Sequence, residues 1–159
     1  MPIFRPTARL ILLDPASRVL LFSAADPPGR VWFTPGGGVH RGESLEAAAV
    51  RELAEETGHV RTEAEIGPLV ATSSGLWATA EGHTFFGADA FFLVRVAEPR
   101  IDTDGQEALE RSVITGHRWW TVSELRATGD RIVPAGLSDL VDRLVSDGVP
   151  AAPVRLAWH

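Results

Sequence analysis

Residues 37–59 read GGVHRGESLEAAAVRELAEETGH, and this stretch combines glycines, a helical pattern and clustered glutamates. Its segment Ser44 to Thr57 predicts a helix, because the serine can cap the first turn and Gly58 can end the last one. Three glycines at 36–38 precede the helix. Glycines can bring backbone N–H and C=O groups close to a ligand, so the stretch predicts a ligand-binding loop that leads into a helix.

Three glutamates of this helix form an acidic stripe. Glu52, Glu55 and Glu56 fall within an arc of about 100° when each residue turns the helix by about 100°. An apolar stripe that must face the core adjoins them and consists of Leu45, Ala49, Val50 and Leu53. A solvated acidic face explains most glutamate-rich helices, but like charges beside a core are costly. Clustered carboxylate oxygens suit Mg²⁺ or Mn²⁺ instead.

The spacing of the whole stretch resembles the signature of the Nudix hydrolase family, of the MutT-like type. The matching positions are Gly37, Glu43, Arg51, Glu52, Leu53, Glu55, Glu56 and Gly58. His59 departs from the pattern, which has an apolar residue there, and it follows the predicted end of the helix. Weaker resemblance extends to WFTPGG at 32–37 and to HRWWTVSEL at 117–125. Eight specified positions at fixed spacing are far more specific than a lone glycine motif.

The resemblance implies an α/β fold, namely a Nudix-type α/β/α sandwich with a mixed β-sheet between helices. It implies hydrolysis of a nucleoside diphosphate linked to another moiety, with Mg²⁺ or Mn²⁺ as cofactor. By position, it implies four metal ligands, which are Glu52, Glu55, Glu56 and the carbonyl of Gly36. It also implies that Arg51 orients the helix glutamates and that Glu43 pairs with this arginine.

The identity of the general base stays open. Some relatives use the first glutamate of the helix, which is Glu52 here, and others use a glutamate in a late loop. The polar segment Asp102 to Glu110 predicts such a loop and offers Glu107 and Glu110. A solvated loop charge is the alternative for both of these glutamates, because motif context fixes such positions loosely.

Arg9 and Arg95 are the candidates for binding substrate phosphates, because a guanidinium group matches phosphate oxygens. Each arginine interrupts an apolar run that predicts a strand. An arginine of an edge strand that reaches solvent would produce the same pattern. Trp32, Trp77 and Phe86 could stack on a base, but aromatic side chains belong more often to the core.

The order of predicted elements agrees with a mixed sheet covered by helices on both faces. Strands are predicted at 9–14, 18–23, 31–33, 84–96 and 117–121, an extended segment at 60–72, and helices at 122–126 and 134–145. We expect a Nudix hydrolase domain over residues 1–148. The Pro/Ala-rich C-terminal tail, residues 149–159, is expected to be loosely held.

Composition narrows the class of partner. The 159 residues carry a net charge of −6, and a general nucleic-acid binder needs a positive field instead. No apolar run approaches the ~20 residues that cross a bilayer. The N-terminus does not resemble a signal peptide, because Arg5 and Arg9 lie within its apolar run and not before it. The absence of Cys excludes disulfide and thiolate chemistry. The expectation is a cytoplasmic protein that acts on a small nucleotide, without membrane contact, and a homodimer is an open option.

Three functions therefore compete at this point. The leading one is a pyrophosphohydrolase for a nucleoside triphosphate, a damaged nucleotide, a nucleotide sugar or a dinucleotide. A nucleotide-sensing module without catalysis would predict loss of the acids, yet Glu52, Glu55 and Glu56 are all present. A pyrophosphohydrolase for RNA 5′ ends is disfavoured by the acidic net charge but stays open.

Overall fold

A computed structural model describes residues 1–158, without the side chain of Leu109. The strands are β1 (Ile3–Leu13), β2 (Val19–Asp26), β3 (Gly29–Phe33), β4 (Gly36–Gly38), β5 (Leu69–Ala78), β6 (Thr84–Arg95), β7 (Ile114–Trp120), β8 (Arg131–Val133) and β9 (Val154–Arg155). The helices are α1 (Leu45–Thr57), α2 (Ala108–Val113), α3 (Val122–Ala127) and α4 (Leu137–Asp147), with a 3₁₀ turn at Glu63–Glu65. Within the described chain, no helix is long and apolar enough to span a bilayer.

The strands form one mixed sheet in the order β8-β3-β2-β1-β6-β5-β9, and β4 and β7 pair with β1 and β2 respectively. Strands β1 and β6 run parallel at the centre, whereas β5 and β6 form an antiparallel hairpin. The short strand β4 pairs with the middle of β1, from Thr7 to Arg9. This pairing places the glycine triplet beside the central strand of the sheet.

Helices cover both faces of the sheet, which confirms the predicted α/β sandwich. Alternate residues of a strand point to opposite faces, and β1 shows this directly. Leu10 and Leu12 pack in the core beneath α1, together with Leu53. Ile11 and Leu13 pack in the second core, beneath α4. Burying each such side chain stabilises the fold by about 1.5–3 kcal/mol, so both helices are held firmly on the sheet.

Helix α1 begins and ends as the sequence predicts. The Ser44 hydroxyl accepts a hydrogen bond from the N–H of Ala47 at 3.0 Å. Gly58 adopts the left-handed conformation, with φ of 77°, and its N–H donates to the carbonyl of Ala54. Both ends of the helix are therefore satisfied by its own sequence, which fixes where the glutamates lie along it.

Two segments, at 60–72 and from Asp102 to Glu110, have a different secondary structure from the predicted one. The predicted extended segment at 60–72 contains the 3₁₀ turn, and β5 begins only at Leu69. Glu65 closes that turn by accepting from the N–H of Thr62 at 3.1 Å, which completes a capping box. The predicted loop from Asp102 turns helical at Ala108, where the N–H of Glu107 donates to Glu110 at 3.0 Å. Local side-chain caps account for the difference in both places.

Residues 154–156 of the C-terminal tail pair with the sheet, so the expectation that the tail is loosely held is wrong for this part of it. Val154 and Arg155 pair in parallel with Ala71 and Thr72 of β5. The N–H of Leu156 then donates to the Thr72 carbonyl at 2.8 Å. The edge of β5 offers unpaired backbone groups, and the tail satisfies them.

Candidate active site

Three glutamates from two helices meet beside the glycine strand. One carboxylate oxygen each of Glu52, Glu56 and Glu110 lie within 4.8 Å of one another. Glu52 and Glu56 stand one turn apart on α1 and are 4% and 3% exposed. Glu110 approaches from α2 and is half-buried. We call these three residues the glutamate cluster. Carboxylates this close repel one another strongly when all are ionised away from water.

Strand β4 can approach the cluster because it lacks side chains. The N–H of Gly36 donates to Glu56 Oε2 at 2.7 Å. A Cβ on Gly37 would lie 2.4 Å from Glu52 Oε1, and one on Gly36 would lie 2.2 Å from the Ala8 carbonyl oxygen. The φ of Gly36 is also +138°, a region that other residues rarely adopt. The glycines are therefore required for the close approach of β4 to β1 and to α1.

Arg51 holds the surroundings of the cluster in place. Its Nε and Nη2 donate to the two carboxylate oxygens of Glu43, both at 2.9 Å. Its Nη1 donates to Glu52 at 2.8 Å and, less closely, to Glu55 at 3.4 Å. Its Nη2 also reaches the Gly38 carbonyl at 2.9 Å. A planar guanidinium in such a network fixes orientation as well as charge.

The pKa of Glu43 is lowered in this network, whereas the pKa values of Glu52 and Glu56 are raised. The hydrogen bonds from Arg51 lower the pKa of Glu43 to about 2 and raise that of the arginine itself. Burial raises the pKa of Glu52, although Arg51 opposes this shift. Burial raises the pKa of Glu56 further, to about 8, despite the Gly36 N–H that stabilises its anion. The hydrogen bonds therefore favour the ionised pair of Glu43 and Arg51, whereas burial favours the protonated form of Glu56 when no cation is bound.

The predicted metal ligands do not all lie in the cluster. Glu55 lies at its partly exposed margin, where it is bonded to Arg51. The carbonyl of Gly36 faces Arg9, whose Nη1 donates to it at 3.2 Å. Glu110, a candidate general base from sequence, joins Glu52 and Glu56 instead. The roles of Glu55 and of the Gly36 carbonyl stay predictions.

Of each pair of site candidates from the sequence, Glu107 with Glu110 and Arg9 with Arg95, only one residue lies near the glutamate cluster. Glu107 is exposed at the start of α2 and stands outside the cluster, unlike Glu110. Arg9 lies next to β4 and also donates to the Thr34 carbonyl at 3.3 Å. Arg95 pairs with Leu13, four residues beyond the position of Arg9 on β1, and thus about 13 Å farther along the sheet. The structure brings Arg9, but not Arg95, to the cluster.

A cavity of about 570 Å³ opens beside Arg9. Its lining includes Arg5, Thr7, Arg9, Trp77, Asp89 and Trp158. Trp77 was among the stacking candidates, whereas Trp32 lies in the core against Trp120 at 5.0 Å between ring centroids. Sequence reasoning missed Asp89 and Trp158. The aspartate carries the same signal as Arg9, a charged residue within an apolar strand, and the tryptophan carries none.

The chain matches a known protein family over most of its length. Residues 3–140 match the family described as NUDIX domain. A putative 8-oxo-dGTP diphosphatase of Bacillus subtilis is 38% identical over 81 residues, which cover 51% of each chain. An RNA pyrophosphohydrolase of Sphingopyxis alaskensis is 42% identical over 55 residues, which cover 35% of each chain. The matched stretches thus span between a third and a half of these relatives.

Solved structures share the fold over nearly the whole chain. The MutT protein of Methanosarcina mazei Go1 superposes with a TM-score of 0.63 at 16% identity, covering 91% of this chain and 94% of that one. The ORF135 protein of E. coli gives a TM-score of 0.63 at 21% identity, covering 95% and 96%. Since the family match extends from β1 into α4 and includes the glutamate-bearing helix, this chain belongs to the NUDIX domain family.

Proposed function

We propose that this chain is a divalent-cation-dependent pyrophosphohydrolase that cleaves a phosphoric anhydride bond of a small nucleotide through attack of water at phosphorus. The observation that carries the proposal is the glutamate cluster, in which Glu52, Glu56 and Glu110 converge in a largely buried place. Such an arrangement costs stability unless a positive charge joins it. The names of the curated relatives, which include diphosphatases and pyrophosphohydrolases, support the same chemistry.

The cluster fits Mg²⁺ or Mn²⁺. Its donors are all oxygens, which these cations prefer. Glu52 Oε2 is buried and has no hydrogen-bond partner among the described residues, and a buried acceptor of this kind normally has one. Glu56 can exchange its proton for a cation. Glu55 and the Gly36 carbonyl would complete the ligand set from the margin, as the family pattern implies.

The chain's own residues supply positioning around such a site. A bound cation would neutralise phosphate oxygens and increase the acidity of the attacking water. Arg51 is a positioning residue, because it holds Glu52 while Glu43 holds the arginine. Arg9 lies between the cavity and β4 and can offer its charge to the substrate's phosphates. Alignment of water with the scissile bond is largely a matter of such positioning.

Glu110 is the candidate general base. It is half-buried, so water can reach it, whereas Glu52 is buried and bonded to Arg51. One of its oxygens accepts from the N–H of Glu107, which fixes the carboxylate at the start of α2. A base must lie within hydrogen-bond reach of the water that it activates. Glu107 itself is exposed and outside the cluster.

A second candidate is the removal of pyrophosphate from RNA 5′ ends. It is favoured by relatives with that name, one in Sphingopyxis alaskensis and one in Caulobacter vibrioides at 48% identity over 58 residues. Both reactions break the same kind of anhydride bond. The net charge of −6 disfavours a polyanionic RNA, so we place the small nucleotide first.

The test is a substrate panel with products resolved by chromatography. The panel contains nucleoside triphosphates, an oxidised dGTP, a nucleotide sugar, a dinucleotide polyphosphate and an RNA with a 5′ triphosphate. Each substrate is incubated with Mg²⁺, with Mn²⁺ and with excess chelator, and the Glu56→Gln variant serves as the matched control. Turnover that survives thorough chelation would refute cation dependence. Turnover of the RNA alone would favour the second candidate.

A further inference from the structure

Three cross-strand rows contribute residues to the lining of the cavity beside Arg9. Residues two apart on a strand point to the same face and lie about 7 Å apart. The rows across β1, β6 and β5 are, in order, Ile3–Phe85–Trp77, Arg5–Gly87–Gly75 and Thr7–Asp89–Ser73. Two of the three positions in the middle row are glycines. We call Gly87 and Gly75 the glycine window, because they leave bare backbone between two rows of side chains.

Trp158 occupies the glycine window. A Cβ on Gly75 would lie 2.3 Å from its Cγ, and a Cβ on Gly87 would lie 2.3 Å from its Cη2. The indole therefore extends across both strands in direct contact with their backbone. Strand β9 carries the chain to this point by pairing with β5. Trp158 thus comes from beyond residue 140, where the family match ends.

Asp89 is the buried polar group of the same cavity, with 7% of its surface exposed. Its Oδ1 accepts from the Thr7 hydroxyl at 2.5 Å, and its Oδ2 accepts from the Ser73 hydroxyl at 3.5 Å. Each carboxylate oxygen can accept two hydrogen bonds. Each oxygen can therefore accept one further hydrogen bond.

The cavity and the glutamate cluster are joined by β4. Gly38 lines the cavity, while its carbonyl accepts from Arg51. Arg9 lines the cavity and bonds to Gly36, whose N–H holds Glu56. A nucleotide with its phosphates at the cluster would therefore extend its nucleoside past Arg9 toward Asp89. The volume of about 570 Å³ lies within the usual range of small-molecule sites.

We propose that this cavity binds the nucleobase of the substrate, that Trp158 provides the face against which the base packs, and that Asp89 selects a base edge with two adjacent N–H donors. The proposal rests on the proposed function, because it assigns the substrate class of the same site. Guanine is the common base with such an edge, formed by N1–H and the exocyclic N2 amino group. Adenine and cytosine offer a single donor group there.

A ribose carries a comparable pair of donors in its 2′ and 3′ hydroxyls, so the test separates base from sugar. We would measure the affinity of the full chain for GMP, IMP and dGMP by calorimetry, without added cation. IMP differs from GMP only by the missing exocyclic amino group, and dGMP only by the missing 2′ hydroxyl. GMP should bind about tenfold more tightly than IMP, because one charge-assisted hydrogen bond is lost. The affinity for dGMP should stay within about twofold of that for GMP, since no donor to Asp89 is removed.

Two variants should affect these affinities differently. Asp89→Asn should bring the GMP to IMP ratio to about one, because an amide presents one acceptor and one donor to the base edge. Trp158→Ala should weaken GMP and IMP equally, by about tenfold, because packing against an aromatic face tolerates either base. Trp158→Phe should retain most of the affinity. Asp147→Asn removes a negative charge from the exposed end of α4 and is the matched control.

Thermal melting of each variant first establishes that it folds. No measurable GMP binding, an unchanged GMP to IMP ratio in Asp89→Asn, or wild-type affinity in Trp158→Ala would overturn the proposal. Weak binding of dGMP with undiminished binding of IMP would assign Asp89 to the ribose and overturn the base assignment. Glu56→Gln should lose hydrolysis but keep the base preference. A protein that prefers GMP yet hydrolyses nothing would refute the proposed function alone.

Discussion

The glutamate cluster and the cavity lie on the two faces of one glycine strand, yet they are built in different ways. A side chain on Gly37 would point at Glu52, whereas one on Gly36 would meet Arg9. Two of the three acids in the cluster come from adjacent turns of a single helix. The cavity draws on β1, β4, β5, β6 and the C-terminal tail. The spacing of Glu52 and Glu56 by one turn of a single helix determines most of the first region. The register of strands distant in sequence determines the second region.

The two regions also differ in how their charges are balanced. The cluster gathers three acids in a confined space, and Arg51 bonds to only one of them, Glu52. The cavity combines a single buried carboxylate with two arginines and two tryptophans in its lining. Buried charge without compensation favours binding of a cation, while a mostly apolar wall with a few polar groups favours an organic ligand. One strand therefore separates the proposed place for phosphate chemistry from the proposed place for base recognition.

The largest expected effect separates these two roles. Glu56→Gln should lower turnover by about 10³-fold, because loss of a cation ligand removes several kcal/mol of charge stabilisation at the transition state. The same change should leave the cation-free protein as stable as wild type at neutral pH, because Glu56 is protonated there and an amide can still accept from the Gly36 N–H. Steady-state assays and thermal melting with and without Mg²⁺ measure both quantities.

The cation should raise the melting temperature of wild type and raise that of Glu56→Gln less, since a ligand stabilises the native state according to its affinity. Glu46→Gln is a suitable control, because Glu46 is an exposed acid in the first turn of the same helix. Near-wild-type turnover together with an unchanged response to Mg²⁺ in Glu56→Gln would reduce the cluster to an acidic helix face.

A smaller effect should distinguish two glutamates at the start of α2. Glu110→Gln should lower turnover by about 10²-fold, the lower range for loss of a general base. Glu107→Gln should leave turnover unchanged, because that side chain is exposed and outside the cluster. Steady-state assays of both variants at several pH values provide the measurement, and each variant serves as the other's control. Equal, negligible effects at both positions would remove α2 from the mechanism.

The sequence was sufficient for the parts that depend on short-range geometry. Helical periodicity alone placed Glu52 and Glu56 on one face beside the core, and both are buried there. The caps at Ser44 and Gly58 were readable because they bond within a few residues of themselves. The resemblance at 37–59 then implied the sandwich fold that the structure shows.

The parts that sequence could not place depend on contacts between distant segments. Asp89 meets Thr7 only because β1 and β6 pair in one particular register. Trp158 reaches the glycine window only because the tail adds a strand to β5, and its Pro/Ala-rich composition predicted the opposite. The sequence does not distinguish Glu110 from Glu107, and only the fold of α2 places Glu110 in the cluster. Helical or strand periodicity in the sequence does not predict contacts between segments that are distant in the chain.

The smallest effect concerns the stability of the cation-free protein as a function of pH. Burial raises the pKa of Glu56 to about 8 in the folded chain, from an ordinary value of 4.5. Between these values the unfolded chain has released the proton and the folded chain still holds it. The free energy of unfolding should therefore fall as pH rises from about 5 to about 8, by on the order of 1 kcal/mol per pH unit. Glu43 contributes in the opposite sense but only at lower pH, because its pKa is lowered to about 2.

Urea unfolding in excess chelator at several pH values would measure this slope, and Glu56→Gln should flatten it because the amide does not titrate. Glu52 adds to the slope in the same direction, since burial raises its pKa as well, so some slope should remain in the variant. A cation must displace the proton of Glu56 to bind, so the stabilisation by Mg²⁺ should grow with pH up to about 8. Stability that instead rises from pH 5 to 8 without a cation would show that the cluster is hydrated and ionised. The contrast between a buried, uncompensated cluster and a recognition cavity would then lose its electrostatic basis.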